Sequence, residues 1–426
     1  MHGGPHRHPN GGRQVSHPQT HATHYNTMKN RMTFRHVLTA AVCLLMAAVP
    51  ADAAKKNKKA DNTFWLGADI SWETQMEQRG EQFFAAGSSK PVECTQLMKD
   101  LGLNAVRLRI WVDPEAWAKN QPRMRLQDGP AAAYRHEGSC DKEDLLEKAR
   151  RAKELGMEVM VDFHYSDNWA DPGKQPIPYA WRGHTYEQMK EDLKAHTVEV
   201  LQLLKDNGIS PRWVQVGNET SNGLLWLKGS SRNQTGTAGT DDDMGRADSQ
   251  PEHYAGFLDA GHEAVKSVFP DAITIVHLDN GWKQSLYDWN LGILEKYGTK
   301  YDMVGMSLYP YWARSSGQTD ADKVINDCIA NIKHVYERFG QESMIVERGF
   351  EVNMEQPEIM LEGKRQLARV ISESLNNTDG HCHGVFYWEP ECRPRQYKLG
   401  AFDADGRPTA IMEAYTEAAA LKGKRK

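Results

Sequence analysis

The chain has no later apolar stretch long enough to cross a bilayer; its longest, Val37 to Val49, runs 13 residues, short of the roughly 20 a spanning helix needs. Basic excess is missing too. Lys and Arg number 52 against 57 Asp and Glu, a formal net charge of −5, whereas a dedicated nucleic-acid binder needs a basic surface to neutralise phosphates. No glycine-rich phosphate loop follows any early strand-like run. The composition, 39% hydrophobic and 26% charged, excludes collagen, a coiled coil and wholesale disorder. What remains is a globular chain of 426 residues with 12 Trp, long enough for one large barrel or two ordinary domains.

The beginning reads as a leader. Residues 1–27 hold six of the 17 His without apolar periodicity, as an over-called start or a disordered tag would. Residues 28–53 combine a basic segment (Lys29, Arg31, Arg35), the apolar run and the small-residue end Ala51-Asp52-Ala53, the pattern of an export signal. Cleavage after Ala53 takes five basic residues and one acidic one, leaving 47 against 56, a net −9. Such a surface repels nucleic acid and anionic membranes. Residues 54–62 read as a linker and 63–426 as the folded domain, exported and monomeric.

From Phe64 onward, short apolar runs alternate with amphipathic stretches. The runs are 64–70, 105–111, 158–165, 213–219, 273–279, 303–309, 343–349 and 384–390, and several intervening stretches end in a glycine suited to a helix C-terminus (Gly102, Gly156, Gly208). Eight such repeats predict parallel strands with helical crossovers, hence an α/β fold of the (β/α)8 TIM-barrel type. The Gly/Ser/Asp-rich segment 229–250 reads as one long loop, and Asp241-Asp242-Asp243 within it as a solvated tip.

Barrel sites form where strands end. Here those ends carry Asp69, Arg109, His164, Asn218-Glu219, Asp279, Tyr309, Glu347 and Trp388-Glu389. Glu219 and Glu347 close the fourth and seventh strands, which lie nearly opposite, so their carboxylates can face one another. Glycoside hydrolysis needs such a pair, one to protonate the leaving oxygen and one to attack carbon or activate water; a spacing of about 5–5.5 Å gives retention. Asn218 can bond a sugar hydroxyl nearby, which makes the Asn218-Glu219-Thr220 sequon accidental, since a glycan would fill the mouth.

The segments DFHYSDNWADPGKQ (162–175), WVQVGNETSNGLLW (213–226), VHLDNGWKQSLYDW (276–289) and MVGMSLYPYW (303–312) resemble glycoside hydrolase family 53. The resemblance runs from about Trp65 to Tyr415. It implies a (β/α)8 barrel that cuts the β-1,4-galactan side chains of pectin endo-wise and with retention, without a required cofactor. By the same resemblance Glu219 matches the acid/base and Glu347 the nucleophile, while Arg109, His164, Asn218, Tyr309 and Trp388 match site-lining positions. One departure is plain. Arg348-Gly349-Phe350 follow the nucleophile where the family usually has Thr and an aromatic–Pro pair.

Residue chemistry adds roles. Arg109 is expected to hold the nucleophile ionised; its competing reading is a structural salt bridge inside the barrel. Trp169 and Trp388 offer flat faces to sugar rings, against core packing, which is the expectation for Trp213. His164 is read as a wall contact rather than a satisfied barrel histidine, and Asp162 shares its face. His381-Cys382-His383 is read as a solvated loop rather than a metal site. Glu351, Asn353 and Glu355 alternate as a possible calcium set, an idea the resemblance prompts; an exposed polar loop competes with it, since three ligands leave a calcium shell incomplete. The cleaved chain holds five cysteines, so at least one is unpaired. The eighth strand keeps Cys382 and Cys392 too far apart to bond, which leaves Cys94, Cys140 and Cys392 as the candidates for any bridge. Two other readings stand beside the galactanase: a catalytically silent sugar-binding barrel, and an endo-β-glycanase acting on mannan or glucan.

Overall fold

The structure is a computed structural model that describes residues 63–116, 139–226 and 244–423. The leader, signal and linker expectations, the Asp241–Asp243 tip and most of the 229–250 loop fall outside these residues.

Eight parallel strands close into a barrel: β1 (Trp65–Asp69), β2 (Ala105–Ile110), β3 (Glu158–Phe163), β4 (Trp213–Val216), β5 (Ile273–Leu278), β6 (Met303–Leu308), β7 (Glu342–Arg348) and β8 (Cys382–Trp388). Each is followed by a helix: α1 (Cys94–Asp100), α2 (Lys142–Glu154), α3 (Tyr186–Asp206), α4 (Pro251–Val268), α5 (Gln284–Tyr297), α6 (Ala321–Phe339), α7 (Pro357–Asn376) and α8 (Ala410–Gly423). Every strand-like run in the sequence is a barrel strand. Local chemistry sets the helix ends. Thr185 and Gln188 form a reciprocal capping box that starts α3, and Asp141 accepts from the Asp144 N–H to start α2. Among the described residues no helix is long and apolar enough to cross a membrane.

The barrel interior is layered. At the N-terminal end Trp65, Met160, Trp213, Met344 and Phe386 form a dry plug, with Trp65 and Trp213 edge to face at 5.1 Å between ring centroids. Outward-facing residues of the same strands pack on the helices as a second, larger core. Above the plug the inward positions turn polar: Arg107, Asp162, Gln215 and His277 are all fully buried. An apolar floor under a polar layer confines the chemistry to the C-terminal mouth.

One sequence reading changes here. The segment His381–His383 is not a loose loop, because Cys382 and His383 already belong to β8. His381 and His383 flank one carboxylate, Glu342, with His383 Nε2 at 3.0 Å and His381 Nδ1 at 3.3 Å; alternation along the strand puts both on one side. Cys94, Cys140, Cys328, Cys382 and Cys392 are buried and form no disulfide among the described residues, so Cys382 and Cys392 are not bonded to each other, as the strand geometry requires, and the bridge left open among Cys94, Cys140 and Cys392 is not formed.

Close approach of β8 to β1 depends on Gly384, where an added Cβ would sit 2.6 Å from the Trp65 carbonyl oxygen. Backbone cannot yield as a side chain can. Gly384→Ala is therefore expected to lower stability by about 1–3 kcal/mol, the usual cost of overpacking, measured as a shifted urea midpoint at unchanged m-value.

Candidate active site

Glu347 ends β7 on the inward face and is 5% exposed. A register shift between Met306 and Ser307 brings Ser307 alongside it. Its Oε1 meets Arg107 Nη1 at 2.9 Å, and its Oε2 accepts from the Tyr309 hydroxyl at 3.1 Å. Burial pushes its carboxyl up to about 7, with Asp162 and Asp69 adding to the rise and Arg107 and Tyr309 opposing it. Glu219 lies just beyond β4 with a left-handed backbone, φ 46°, and is partly exposed. Its Oε1 accepts from the Ser307 hydroxyl at 2.6 Å. Loss of water raises it well above the usual carboxylate range, and Glu347 and Asp279 raise it further. Only Glu347 touches a cation. It therefore ionises first, and its charge holds the proton on Glu219.

Arg107, not Arg109, is the arginine that contacts Glu347. Its guanidinium contacts Asp69 at 2.8 Å, Asp162 at 2.9 Å and Glu347, and also the side-chain oxygens of Asn218 at 2.7 Å and Gln215 at 3.2 Å. Arg109, two residues nearer the mouth, pairs with Glu389 at 2.8 Å and lies 4.1 Å from the Trp169 ring centroid. Both arginines are fully buried, so the expectation that Arg109 serves Glu347 is corrected. Alternation gave the right face; the stagger between strands set the height.

Other expected wall residues divide. Asp69 is fully buried. Burial works to raise it, but Arg107, Arg109 and two Ser71 donors outweigh this and hold it low, so it orients Arg107 rather than lining the mouth. His164 is a satisfied barrel histidine: Nε2 faces Asp162 at 3.1 Å and Nδ1 accepts the Ala170 N–H at 3.0 Å, and burial keeps it neutral. Asn218 is pinned by Arg107 and by its own Nδ2 on the Ala170 carbonyl at 2.8 Å. Trp169 and Trp388 remain partly exposed and meet edge to face at 5.9 Å. The buried Trp72 supports both at 5.3 Å. Tyr397 packs on Trp388 at 4.7 Å.

The closed barrel, the two carboxylates at the ends of its fourth and seventh strands and the aromatic wall beside them share one origin. The glycosyl hydrolase family 53 model matches residues 65–418. The chain belongs to glycosyl hydrolase family 53. It is thus a glycosidase. An endo-beta-1,4-galactanase of Bacillus subtilis is 28% identical over 360 residues, 80% of this chain and 73% of the relative. A probable arabinogalactan endo-beta-1,4-galactanase A of Aspergillus terreus is 29% identical over 76% of this chain and 85% of its own. A solved structure from work on two fungal beta-1,4-galactanases shares the fold with a TM-score of 0.66 at 23% identity, covering 82% of this chain and 98% of that one.

Within this family 53 site, the seventh loop departs as the sequence suggested. Arg348 turns away from Glu347 and is fully buried, with the phenols of Tyr309, Tyr387 and Tyr415 as its titratable neighbours and burial lowering its pKa. Gly349 lets the loop touch Leu399, whose carbonyl oxygen would lie 2.7 Å from an added Cβ. The calcium donors fit poorly. Asn353 Oδ1 accepts the Glu355 N–H at 3.0 Å, and Arg314 stands 3.9 Å from Glu351, where it would oppose a cation.

Several partners escaped the sequence reading. Gln215, His277 and Ser307 are inward residues at ordinary strand positions, and Trp72 and Tyr397 lie outside the strands. Glu391 is fully buried beside Glu389; burial and that neighbour raise it well above the usual range, while burial and Asp69 push Glu389 up to about 7 against the opposing pull of Arg109 and Glu391. Period-2 inwardness flags the strand residues, but not their contacts.

The division of labour between the arginines is measurable. Weakening the Arg107 contact favours neutral Glu347, and a nucleophile at that position would have to be ionised. Arg107→Lys should therefore move the acid limb of kcat/KM to higher pH, whereas Arg109→Lys should leave that limb in place.

Proposed function

We propose that this protein is an endo-acting β-1,4-galactanase that hydrolyses pectic galactan with retention, Glu347 attacking the anomeric carbon and Glu219 serving as acid and then base. The observation that carries this is the asymmetry of the pair: Glu347 holds a cation and a phenol donor, and Glu219 holds neither. One carboxyl is thus poised ionised and the other protonated, as displacement through a glycosyl-enzyme needs. The galactanase names of the curated relatives support the substrate. Asn218, with one Nδ2 hydrogen not spent on Ala170, suits a sugar hydroxyl near the scissile bond, and the Trp169–Trp388 faces suit the C–H side of a galactose ring. Tyr309 stands beside the nucleophile as a further wall. Polysaccharide substrates and the signal-like leader together favour an exported enzyme, working as a monomer.

In the first half-reaction the Glu219 O–H bond breaks and its proton goes to the glycosidic oxygen. That oxygen leaves with the C–O bonding pair as a Glu347 oxygen bonds to carbon. In the second, Glu219 takes a proton from water, the water oxygen bonds to carbon and Glu347 departs.

Incubation with a panel of purified galactan, mannan, glucan and xylan should release oligosaccharides from galactan alone, and proton NMR should show the β-anomer first. Glu347→Gln should abolish turnover. Glu219→Gln should lose about 10²–10⁴-fold on galactan while still cleaving aryl galactosides, whose leaving groups need no proton. Wild-type turnover by the Glu347 variant would overturn the assignment, and absence of any hydrolysis by the wild type would favour the silent sugar-binding barrel.

Calcium at Glu351, Asn353 and Glu355 would stabilise the fold by mass action if it bound. Given the Arg314 and Glu355 contacts, the expected result is one melting temperature in excess calcium and after chelation. An upward shift in calcium alone would restore the site.

A further inference from the structure

The acid carboxyl of Glu219 is reached from inside the barrel by a run of hydrogen bonds whose direction is fixed at its origin. His277, on β5, is fully buried. Its Nδ1 faces the backbone N–H of Glu219 at 3.2 Å and Gln215 Nε2 at 2.9 Å. A backbone N–H can only donate, so Nδ1 accepts and the ring hydrogen sits on Nε2. Asn218 Oδ1 also lies 3.1 Å from Nδ1, but that oxygen is taken by Arg107. Nε2 stands 2.9 Å from Ser307 Oγ and donates to it. The Ser307 hydroxyl then donates to Glu219 Oε1 at 2.6 Å.

Reversing this run would require the ring hydrogen to move from Nε2 to Nδ1, against the two donors already there. Burial together with Arg107 keeps His277 uncharged, so the ring carries that one hydrogen and the donors on Nδ1 leave it on Nε2. Glu219 Oε1 is therefore an acceptor in both protonation states. Resting on the reading of Glu219 as acid/base, we propose that Ser307, aligned by His277, is a positioning residue that keeps the catalytic proton on Glu219 Oε2 and stabilises the carboxylate formed when this proton is given up. The Oε2–H bond breaks toward the glycosidic oxygen and its electron pair stays on Glu219. At that moment the Ser307 bond becomes charge-assisted and strengthens. The same donor holds Oε1 still while Oε2 takes a proton from water in the second step.

Other groups face Glu219 as well. The carboxyls of Glu347, Asp279 and Asp171 all disfavour its ionisation. The phenols of Tyr287, Tyr309 and Tyr397 are raised well above their ordinary range by burial and stay neutral. Ser307 is thus the side-chain donor that opposes the three carboxyls, and its removal has a definite sign. The neutral acid is favoured, and the alkaline limb of the pH profile, where activity falls as Glu219 loses its proton, moves up.

The test is the pH dependence of kcat/KM on galactan for the whole enzyme and for Ser307→Ala, Ser307→Thr and Ser307→Cys. Alanine is expected to raise the alkaline limb by about one pH unit and to lower kcat about tenfold or more, with KM within about twofold. Threonine keeps the hydroxyl and should restore both, while cysteine, a poorer donor, should fall between; these two carry the test if the alanine variant does not fold. An alanine or cysteine variant with the limb unmoved, or threonine no better than alanine, overturns the proposal. Glu219→Gln on an activated aryl galactoside separates the two readings. Loss of the alkaline limb there supports Glu219 as acid/base whatever Ser307 does, and persistence of the limb overturns that reading and this inference together.

Discussion

One guanidinium organises the interior of this barrel. Arg107 is fully buried and bonded to carboxylates from β1, β3 and β7, as well as to Gln215 and Asn218. Three acids around one cation leave an excess of negative charge in a dry place, and the arrangement is tolerable only because each oxygen finds a directed donor. Removing one partner of such a buried set typically costs about 3–5 kcal/mol. The planar fork matters more than the charge, since a lysine ammonium cannot address five acceptors from fixed directions. Glu347, Asn218 and, through Gln215, His277 are all aimed by this one side chain.

The strand ends around the mouth are bent into place at a cost. Tyr165, Glu219, Asn280 and Glu389 each adopt a positive φ, between 46° and 49°, a conformation that non-glycine residues rarely take and that costs about 1–3 kcal/mol each. All four lie just after strands β3, β4, β5 and β8. A strand that continued straight would carry these side chains past the mouth; the left-handed residue turns the chain sharply at the rim. At Glu219 the turn is held by the His277 contact to its N–H and by Gln175 Nε2 on the Asn218 carbonyl at 2.8 Å. Strain in the site is thus supported by the polar layer beneath it.

The aromatic wall and the polar layer meet at Arg109. It pairs with Glu389 and lies within 5.3 Å of the ring centroids of Trp72, Trp111 and Trp169. A cation among indole faces stiffens the platform without occupying it, and Trp388 is joined to the same group through its neighbour Glu389. A second acid, Glu391, sits behind Glu389 in the dry interior. Protonated, it favours the charged form of Glu389 opposite Arg109.

Periodicity in the chain determined the eight strands, their helices, the parallel order and the ends at which chemistry collects, because burial on both faces and short βα connections leave a local mark. Glu219, Glu347 and Tyr309 were legible as strand-end residues, and alternation placed Asp162 and His164 on one face. Height along the barrel axis was not legible. Arg107 and Arg109 face inward alike, but Asp69 lies opposite Arg107 and Asp162 opposite Arg109 in the ladders. Which arginine meets Glu347, whether His164 is wall or core, and that Ser307 reaches Glu219 all follow from strand stagger and from loops that supply Trp72 and Tyr397. A residue's face is a property of its own strand's pleat, which repeats every two residues. Its partners depend on how eight strands shear past one another when the sheet closes, and only the closed barrel sets that.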